Sequence, residues 1–224
     1  MLLLGVDTSG KHGSIALARG DGGAFEVLEV APLVGGTFSA QLIPQIASLL
    51  SKHNLKKEDV DAIAAASGPG SFTGLRVGLA AVKALADALS IPIATVSLLE
   101  AVAVESGREG TVVAALDAGR GEVYAGEFEV KDGQATLCHE CLFTQDEFAD
   151  VLRTSGRHVV TPDEVLAQGL HQRGVPESVS LVSRPRSDPI ARLGWRKILA
   201  GQTVTPDELD ANYIRRADAE ILKK

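Results

Sequence analysis

The sequence is poor in the residue types that carry extracellular, membrane or metal-dependent functions. Its 224 residues include two cysteines and five histidines, and aromatic residues make up only 4%. So few cysteines cannot form the disulfide framework of a small secreted domain. No stretch approaches the roughly 18 uncharged apolar residues of a membrane helix, and Asp7 interrupts the opening MLLLG too early for a secretory signal. We therefore expect a cytoplasmic protein that contacts no membrane.

An excess of basic charge is also missing. The chain carries 22 Lys and Arg against 29 Asp and Glu, which gives a formal net charge of -7. Proteins that hold nucleic acid by their own surface usually show a strongly basic composition or patch. If RNA is involved, we expect a partner to supply most of the positive charge.

What is present is an α/β pattern that occurs twice. Residues 2–7 form an apolar run that ends in Asp7, and residues 112–119 form a second such run that contains Asp117. In each copy a glycine-containing turn and further strands follow, so the pattern predicts a duplicated α/β domain. The predicted strands are 2–7, 14–21, 24–31, 60–66, 91–96, 112–119, 121–130 and 134–143. The predicted helical or mixed segments are 39–53, 75–89, 97–106, 145–153, 162–170 and 187–200, and the signal is weak over 154–186.

The stretch SGPGSFTGLR, residues 67–76, has the composition of a phosphate-binding loop and precedes a predicted helix, whose free N–H groups attract anions. Its spacing excludes a Walker loop, because Leu75 stands where the lysine is required. A G-x-G-x-x-G loop is excluded as well, since it would need glycine at Thr73. The alternative is that Gly68, Gly70 and Gly74 let the helix begin close to a sheet, with Ser71 or Thr73 as its N-cap.

The helix predicted over 75–89 has two apolar faces. One face contains Leu75, Leu79, Val82, Ala86 and Leu89, and the other contains Val77, Ala81, Ala84, Leu85 and Ala88. One apolar face satisfies a core, so a second indicates a partner. Gly78 and the alanines would let a neighbouring helix approach closely. A helix buried between two sheets would show the same pattern.

Three segments, GVDTSGKHGSIAL, SGPGSFTGLRVGLAAVKALADAL and LDAGRGEVYAGEF, resemble the TsaB (YeaZ) family over roughly residues 1–130. The resemblance implies an α/β fold of the ASKHA class (actin-like ATPases and sugar kinases). It implies two ribonuclease-H-like halves, which we place at 1–106 and 107–224, the second being more divergent.

In function, the resemblance implies a non-catalytic subunit that pairs with the catalytic subunit TsaD and works with the small ATPase TsaE. The complex transfers threonylcarbamoyl to the adenosine beside the anticodon of tRNAs that read codons beginning with A. No intrinsic cofactor is expected, so ATP and Mg²⁺ would act at the level of the complex. Contact with tRNA would also occur only through the complex, and a homodimer is expected when the partner is missing.

The resemblance places the pairing surface on the helices 39–53 and 75–89. The residues assigned to it are Leu42, Ile46, Leu49, Gly70, Ser71, Phe72, Thr73, Gly74, Arg76, Leu79, Val82 and Lys83. We expect Leu42→Asp or Leu79→Asp to abolish pairing while the monomer stays folded. Phe38 departs from the family pattern, which commonly has histidine there, and is expected near this surface.

No catalytic residue and no metal site are predicted. The catalytic relative binds metal through two histidines four residues apart, and those positions fall on Leu98 and Val102. Cys138 and Cys141 form a C-x-x-C pattern in a strand-like stretch, and without a second pair they are interpreted as ordinary cysteines of an edge strand.

A candidate vestigial nucleotide site consists of Asp7, Thr8 and Ser9 in the first copy and Asp117 and Gly119 in the second. In ATP-binding relatives such acids hold Mg²⁺. The acids could instead only cap strand ends and turns. The competing function is therefore a small ASKHA-type ATPase or kinase.

Overall fold

The structure is a computed structural model that describes residues 1–34, 38–175 and 179–214. The chain divides into two compact units. The first contains Met1–Leu98 and Pro185–Asn212, and the second has Leu99–Arg184 as its body.

The first unit is built on a five-stranded mixed sheet. Its elements in chain order are β1 (Leu2–Asp7), β2 (Gly13–Asp21), β3 (Ala24–Leu33), α1 (Phe38–Lys52), β4 (Ala62–Gly68), α2 (Phe72–Leu89) and β5 (Ile93–Ser97). The strand order is β3-β2-β1-β4-β5. Strand β1 pairs antiparallel with β2 and parallel with β4, which in turn runs parallel to β5.

The second unit repeats this plan. Its elements are α3 (Leu98–Glu105), β6 (Gly110–Gly119), β7 (Glu122–Lys131), β8 (Gln134–Thr144), α4 (Gln145–Ser155), β9 (Val159–Thr161), α5 (Glu164–Gln172) and β10 (Val179–Leu181). The next helix along the chain is α6 (Ser187–Leu199), which belongs to the first unit. The sheet order is β10-β9-β6-β7-β8. Its first strand, β6, also pairs antiparallel with the second and parallel with the fourth. The two sheets therefore share one order, and the predicted ASKHA fold with two ribonuclease-H-like halves is confirmed.

Helices cover both faces of the first sheet. Successive residues of β1 point to opposite faces, so their neighbours show which helix covers each face. Leu4 and Val6 lie in one buried cluster with Leu42 of α1 and Leu79 of α2. Gly5 faces the other way, where a Cβ would lie 2.4 Å from the carbonyl oxygen of Ser187. Helices α1 and α2 therefore cover one face of the sheet, and α6 covers the other.

Residues 185–212 belong to the first unit, which differs from the predicted division at residue 106. The Ser187 amide donates a hydrogen bond to Ser14 Oγ over 2.9 Å. Further along, Val204 pairs with Ile93, and the Asn212 amide donates to the Ser67 carbonyl over 2.7 Å. The physical reason is burial, since without α6 one face of the first sheet would lie open to water.

The other elements agree with the prediction apart from their ends. Helix α2 begins at Phe72 rather than near Leu75, and β4 is shifted to Ala62–Gly68. The short strands β9 and β10 lie in the stretch where the sequence signal was weak. Among the helices of the described ranges, none is both long enough and apolar enough to cross a membrane.

Candidate functional site

The glycine loop packs directly against the turn that follows β1. The Ser71 amide donates to the Ser9 carbonyl over 2.7 Å. Ser71 is also the N-cap of α2, and its Oγ accepts a hydrogen bond of 3.3 Å from the Gly74 amide. Of the two predicted caps, Ser71 therefore fills the role. The start of α2 is tied to the end of β1.

Three glycines, spaced four residues apart, let the glycine loop and the start of α2 pack closely against the turn after β1. A Cβ at Gly70 would lie 2.4 Å from the Ser9 carbonyl oxygen, and one at Gly74 would lie 2.1 Å from the Thr8 carbonyl oxygen. At Gly78 the Cβ would lie 2.0 Å from Thr8 Oγ1. Real Cβ atoms essentially never approach other heavy atoms so closely. The prediction that Gly78 admits a neighbouring helix is therefore wrong, because the neighbour is the turn after β1.

The turn itself is closed. Asp7, Thr8 and Ser9 are 4%, 3% and 1% exposed. The Asp7 Oδ1 atom accepts hydrogen bonds from the Ser9 amide over 2.8 Å and from Ser9 Oγ over 2.6 Å. The glycine loop packs directly on Thr8 and Ser9, as the close approach of Gly70, Gly74 and Gly78 shows. Asp7, Thr8 and Ser9 are therefore covered by the protein itself in the described arrangement.

The equivalent turn of the second unit is open. Asp117, at the end of β6, is exposed. Its amide donates to Asp163 Oδ2 over 2.8 Å, and its own Oδ1 accepts from the Gly119 amide over 2.9 Å. The other oxygen of Asp163 lies 3.3 Å from Arg184. The sequence reasoning missed Asp163, although an acid directly after the fourth strand of a repeated fold could have indicated it.

Five of the residues predicted for the pairing surface lie in the core of the chain instead. Each is between 1% and 8% exposed and belongs to the cluster beneath α1 and α2. They are Leu42, Ile46, Leu49, Leu79 and Val82. Gly74 is buried as well. This part of the assignment is corrected, since periodicity marks the apolar face of a helix but not what covers it. Leu42→Asp and Leu79→Asp are accordingly expected to unfold the chain.

The remaining predicted residues lie at or near the surface. Ser71, Phe72, Thr73 and Arg76 are exposed, and Gly70 and Lys83 are partly exposed. The Arg76 guanidinium carbon lies 3.8 Å from the centroid of the Phe72 ring. Lys83 Nζ lies 3.8 Å from a carboxylate oxygen of Asp207.

Helices α1 and α2 pack against each other and share an outward face with apolar side chains. Ile43 and Phe72 are its large members, 49% and 41% exposed. We call this face the outer surface of α1 and α2 and define it by Ala40, Ile43, Ala47, Phe72, Arg76, Ala80 and Ala84, all exposed. The sequence reasoning missed Ile43, although its position between the buried Leu42 and Ile46 could have indicated it.

Phe38 is the first residue of α1 and is buried. A Cβ at Gly13 would lie 2.9 Å from Cε1 of Phe38, and one at Gly74 would lie 3.4 Å from Cε2. The ring therefore packs beside the start of α2 and the turn after β1. Its departure from the family pattern affects this packing directly and the outer surface only through α1.

The histidines and cysteines form no metal site within residues 1–34, 38–175 and 179–214, where no group of three or more His, Cys, Asp or Glu is placed to hold an ion. Cys138 and Cys141 lie on β8, an edge strand, as predicted. The Cys141 sulfur lies 3.3 Å from His139 Nε2. Leu98 and Val102, the positions of the relative's metal ligands, are fully buried.

Comparison with known proteins places the chain among tRNA-modification proteins. The sequence model of TsaD, described as a tRNA N6-adenosine threonylcarbamoyltransferase, matches residues 32–181. The chain is 38% identical to the tRNA threonylcarbamoyladenosine biosynthesis protein TsaB of Bacillus subtilis, and the match covers 98% of this chain and 96% of that protein.

Two further relatives extend this result. An uncharacterized protein of Mycobacterium leprae is 30% identical over 98% of this chain, which spans only 56% of that longer protein. Among solved structures, YeaZ of Pseudomonas aeruginosa superposes with a TM-score of 0.75 at 27% identity, and the match covers 95% of this chain and 100% of that one.

Proposed function

The chain belongs to the TsaB family, and on that premise we propose that it is a non-catalytic subunit in the biosynthesis of tRNA threonylcarbamoyladenosine. It acts by pairing with a TsaD-type catalytic subunit and serves the adenosine next to the anticodon in tRNAs that read codons beginning with A. A TsaE-type ATPase joins the pair, and tRNA is engaged through the complex. Any ATP and Mg²⁺ act at the level of that complex, and the chain alone forms a homodimer.

The observation that carries the proposal is the outer surface of α1 and α2. Ile43 and Phe72 are large apolar side chains that remain exposed on helices whose other face is already buried. Monomeric proteins rarely expose contiguous apolar surface without a binding partner. The stacked pair of Phe72 and Arg76 offers two of the side-chain types that dominate the centres of protein interfaces.

Two features support a non-catalytic role. The turn of Asp7, Thr8 and Ser9, where an active relative would hold a phosphate, is closed by the glycine loop. Leu98 and Val102, which occupy the metal-ligand positions of the catalytic relative, carry no donor atoms in their side chains.

The experiment is co-expression with the TsaD homologue from the same genome, followed by size-exclusion chromatography with mass measurement and titration of the purified partners. Ile43→Asp and Phe72→Asp each place a charge on the proposed interface. We expect each to raise the dissociation constant at least about 30-fold, the effect of a lost interface hot spot. The unfolding free energy should fall by no more than about 1–2 kcal/mol, because both side chains are only half buried, whereas Leu42→Asp should unfold the chain.

Val165→Asp is the matched control, since Val165 is an exposed apolar residue of α5 in the second unit. It should pair like the wild type. Equal pairing by all three variants would move the interface away from α1 and α2. A wild-type chain that never pairs, and that fails to restore the modified adenosine in a strain depleted of its TsaB, would refute the proposed function.

The second candidate function, a small ASKHA-type ATPase or kinase, is favoured only by the open turn at Asp117. Asp117 is exposed, and its amide donates to the Asp163 carboxylate. ATP hydrolysis by the isolated chain that is lost in Asp117→Asn would support this candidate. Absence of turnover at millimolar ATP and Mg²⁺ would leave the scaffold function standing.

A further inference from the structure

The negative charge of the chain is unevenly distributed. The segments of the first unit, 1–98 and 185–212, contain 11 Lys and Arg against 12 Asp and Glu. Residues 99–184 of the second unit contain 7 against 15. A polyanion approaching the protein is therefore repelled mainly by the second unit, and the first unit is close to neutral.

Within the first unit, α6 and its N-cap concentrate the cations. Arg186, Arg192, Arg196 and Lys197 lie in this segment with a single acid, Asp188. The acid lies 3.6 Å from Arg186. Ile190, Ala191 and Gly194 are buried against the sheet, so Arg192 and Arg196 belong to the opposite, outward strip of the helix. They are four residues apart, about 6 Å along the helix axis.

One of these side chains is held in place on the outward strip by its neighbours. The Arg192 guanidinium carbon lies 4.9 Å from the centroid of the Phe25 ring, which in turn lies 5.3 Å from the ring of Trp195. A cation that is already ordered loses less conformational entropy when it binds a phosphate, so this contact favours recognition. Lys197 lies on the sheet side of the helix instead, where its Nζ donates to the Thr95 carbonyl of β5 over 3.0 Å.

We propose that the outward face of α6, with Arg186, Arg192 and Arg196, is a contact surface for RNA phosphates. This inference rests on the proposed function, which brings the chain to tRNA as part of a complex. The location suits that role, since α6 and the pair α1 and α2 cover opposite faces of one sheet. RNA on α6 and a protein partner on α1 and α2 can therefore bind at the same time.

The test is a titration of unmodified tRNA, carried out with the isolated chain and with the chain paired to its TsaD homologue, at several salt concentrations. The variant Arg192→Gln with Arg196→Gln removes two charges from the strip. We expect the slope of log affinity against log salt to fall by about 2 and the dissociation constant at 0.1 M salt to rise about tenfold or more.

Arg153→Gln with Arg157→Gln is the control. It removes the same charge from the second unit, where these arginines pair with Asp150 and Glu127. It should leave the salt slope unchanged, and Arg192→Lys with Arg196→Lys should retain most of the binding.

The outcomes separate this inference from the proposed function. Equal RNA binding by the α6 variant and the control, or no RNA binding by either form of the wild type, overturns the α6 surface even where pairing is intact. Loss of protein pairing without loss of RNA binding also overturns it, because α6 would then be a protein interface. If no pairing occurs, the proposed function fails, and the titration of the isolated chain still decides the inference.

Discussion

In both units the loop after the fourth strand contacts the turn after the first strand, but the contacts differ. In the first unit, the loop after the fourth strand packs its glycines against the turn after the first strand, and Ser71 donates to the Ser9 carbonyl. In the second unit, the corresponding loop contributes a carboxylate, and Asp163 accepts a hydrogen bond from the Asp117 amide. The first contact is buried, whereas Asp117 of the second is exposed.

This difference shows that packing alone can decide whether the turn after the first strand is buried or exposed. In the first unit the backbones lie in direct contact, since the Ser71 amide donates to the Ser9 carbonyl. That contact also holds the start of α2, and with it Phe72 and Arg76 of the outer surface of α1 and α2. The first unit, which is the tight copy, therefore positions part of the outer surface of α1 and α2 by close packing, and the second unit, the looser copy, has an open turn.

The largest expected effect comes from adding a methyl group where the glycine loop of the first unit, the tight copy, packs on the turn after β1. Gly74→Ala would place a Cβ 2.1 Å from a backbone oxygen, which cannot move without displacing the turn after β1. We expect a loss of about 3 kcal/mol of unfolding free energy, although alanine is the better helix former. Urea unfolding followed by Trp195, the only tryptophan of the chain and part of the first unit, measures it.

Gly169→Ala on α5 is the matching change in the looser copy. Its nearest neighbours would be Arg173 Nη1 at 3.4 Å and Gln145 Oε1 at 3.6 Å, both ordinary contacts. This variant should be neutral or up to about 1 kcal/mol more stable. Similar losses for the two variants would contradict the described difference in packing.

A smaller effect is expected at Gly78, where the obstacle is a side chain. Gly78→Ala would place its Cβ 2.0 Å from Thr8 Oγ1. We expect a loss of about 1–3 kcal/mol. The loss should be partly relieved in the double variant with Thr8→Ala, which removes the clashing atom. A double-mutant cycle should give a coupling free energy above about 0.5 kcal/mol, whereas Thr8→Ala should not rescue Gly74→Ala.

In the second unit, the contact between the turn after the first strand and the loop after the fourth depends on one carboxylate, that of Asp163. Asp163→Ala removes the acceptor for the Asp117 amide and the partner of Arg184, and should cost about 1–3 kcal/mol, as for a hydrogen bond to a charged group. Asp163→Asn keeps an oxygen acceptor and should cost less. Thermal unfolding and the exchange rate of the Asp117 amide measure both, and equal effects of the two variants would show that the acceptor is unimportant.

The smallest effect concerns two surface carboxylates, one in each unit. Hydrogen bonds from Lys52 and then His53 lower the pKa of Glu29 below its ordinary 4.5, and hydrogen bonds from the Thr144 amide and hydroxyl lower the pKa of Glu147 below the same value. Because both pKa values are depressed by folding, each contact stabilises the protein above pH 4.5 and is lost as the pH falls through the lowered pKa.

Added salt should change the pKa of Glu29 more than the pKa of Glu147. At 1 M salt the screening length is about 3 Å, so the pKa of Glu29, held by charged partners, should move back toward its ordinary value. The pKa of Glu147 should move less, since neutral donors hold it. Carboxyl carbon NMR titrations at low and high salt measure both, and an equal salt response would show that the ion pair with Lys52 is unimportant.

The sequence predicted the fold well where local pattern decides structure. Period-two and period-3.6 spacing located most strands and, within the described residues, each of the helices α1 to α6. The repeat of Asp7 and Asp117 indicated the duplication. Strands β9 and β10, of three residues each, are too short for a period to register. The place of α6 depends on contacts such as that between Ser14 and Ser187, which no local pattern encodes.

The candidate site was predicted less well, for a related reason. The apolar spacing of Leu42, Ile46 and Leu79 is the same whether a helix packs on its own sheet or on a partner, and here its own sheet takes these residues. The exposed Ile43 lies between Leu42 and Ile46, outside their helical spacing, and this position is the one signal that could have indicated it. The spacing of the glycine loop predicts that it is neither a Walker loop nor a G-x-G-x-x-G loop. The packing of this loop against Thr8 and Ser9 depends on the tertiary structure.

The return of residues 185–212 to the first sheet also bears on how the protein is made. During synthesis the first strands leave the ribosome long before α6, and the sheet face at Gly5 and Ala64, against which Ser187, Ala191 and Gly194 of α6 pack, cannot be covered until then. We therefore expect the first unit to remain incompletely folded, with apolar surface exposed to chaperones, until residues 185–212 have been synthesised, whereas the second unit can fold earlier. The expected order of folding of the two units is then the reverse of the order in which their first strands are translated.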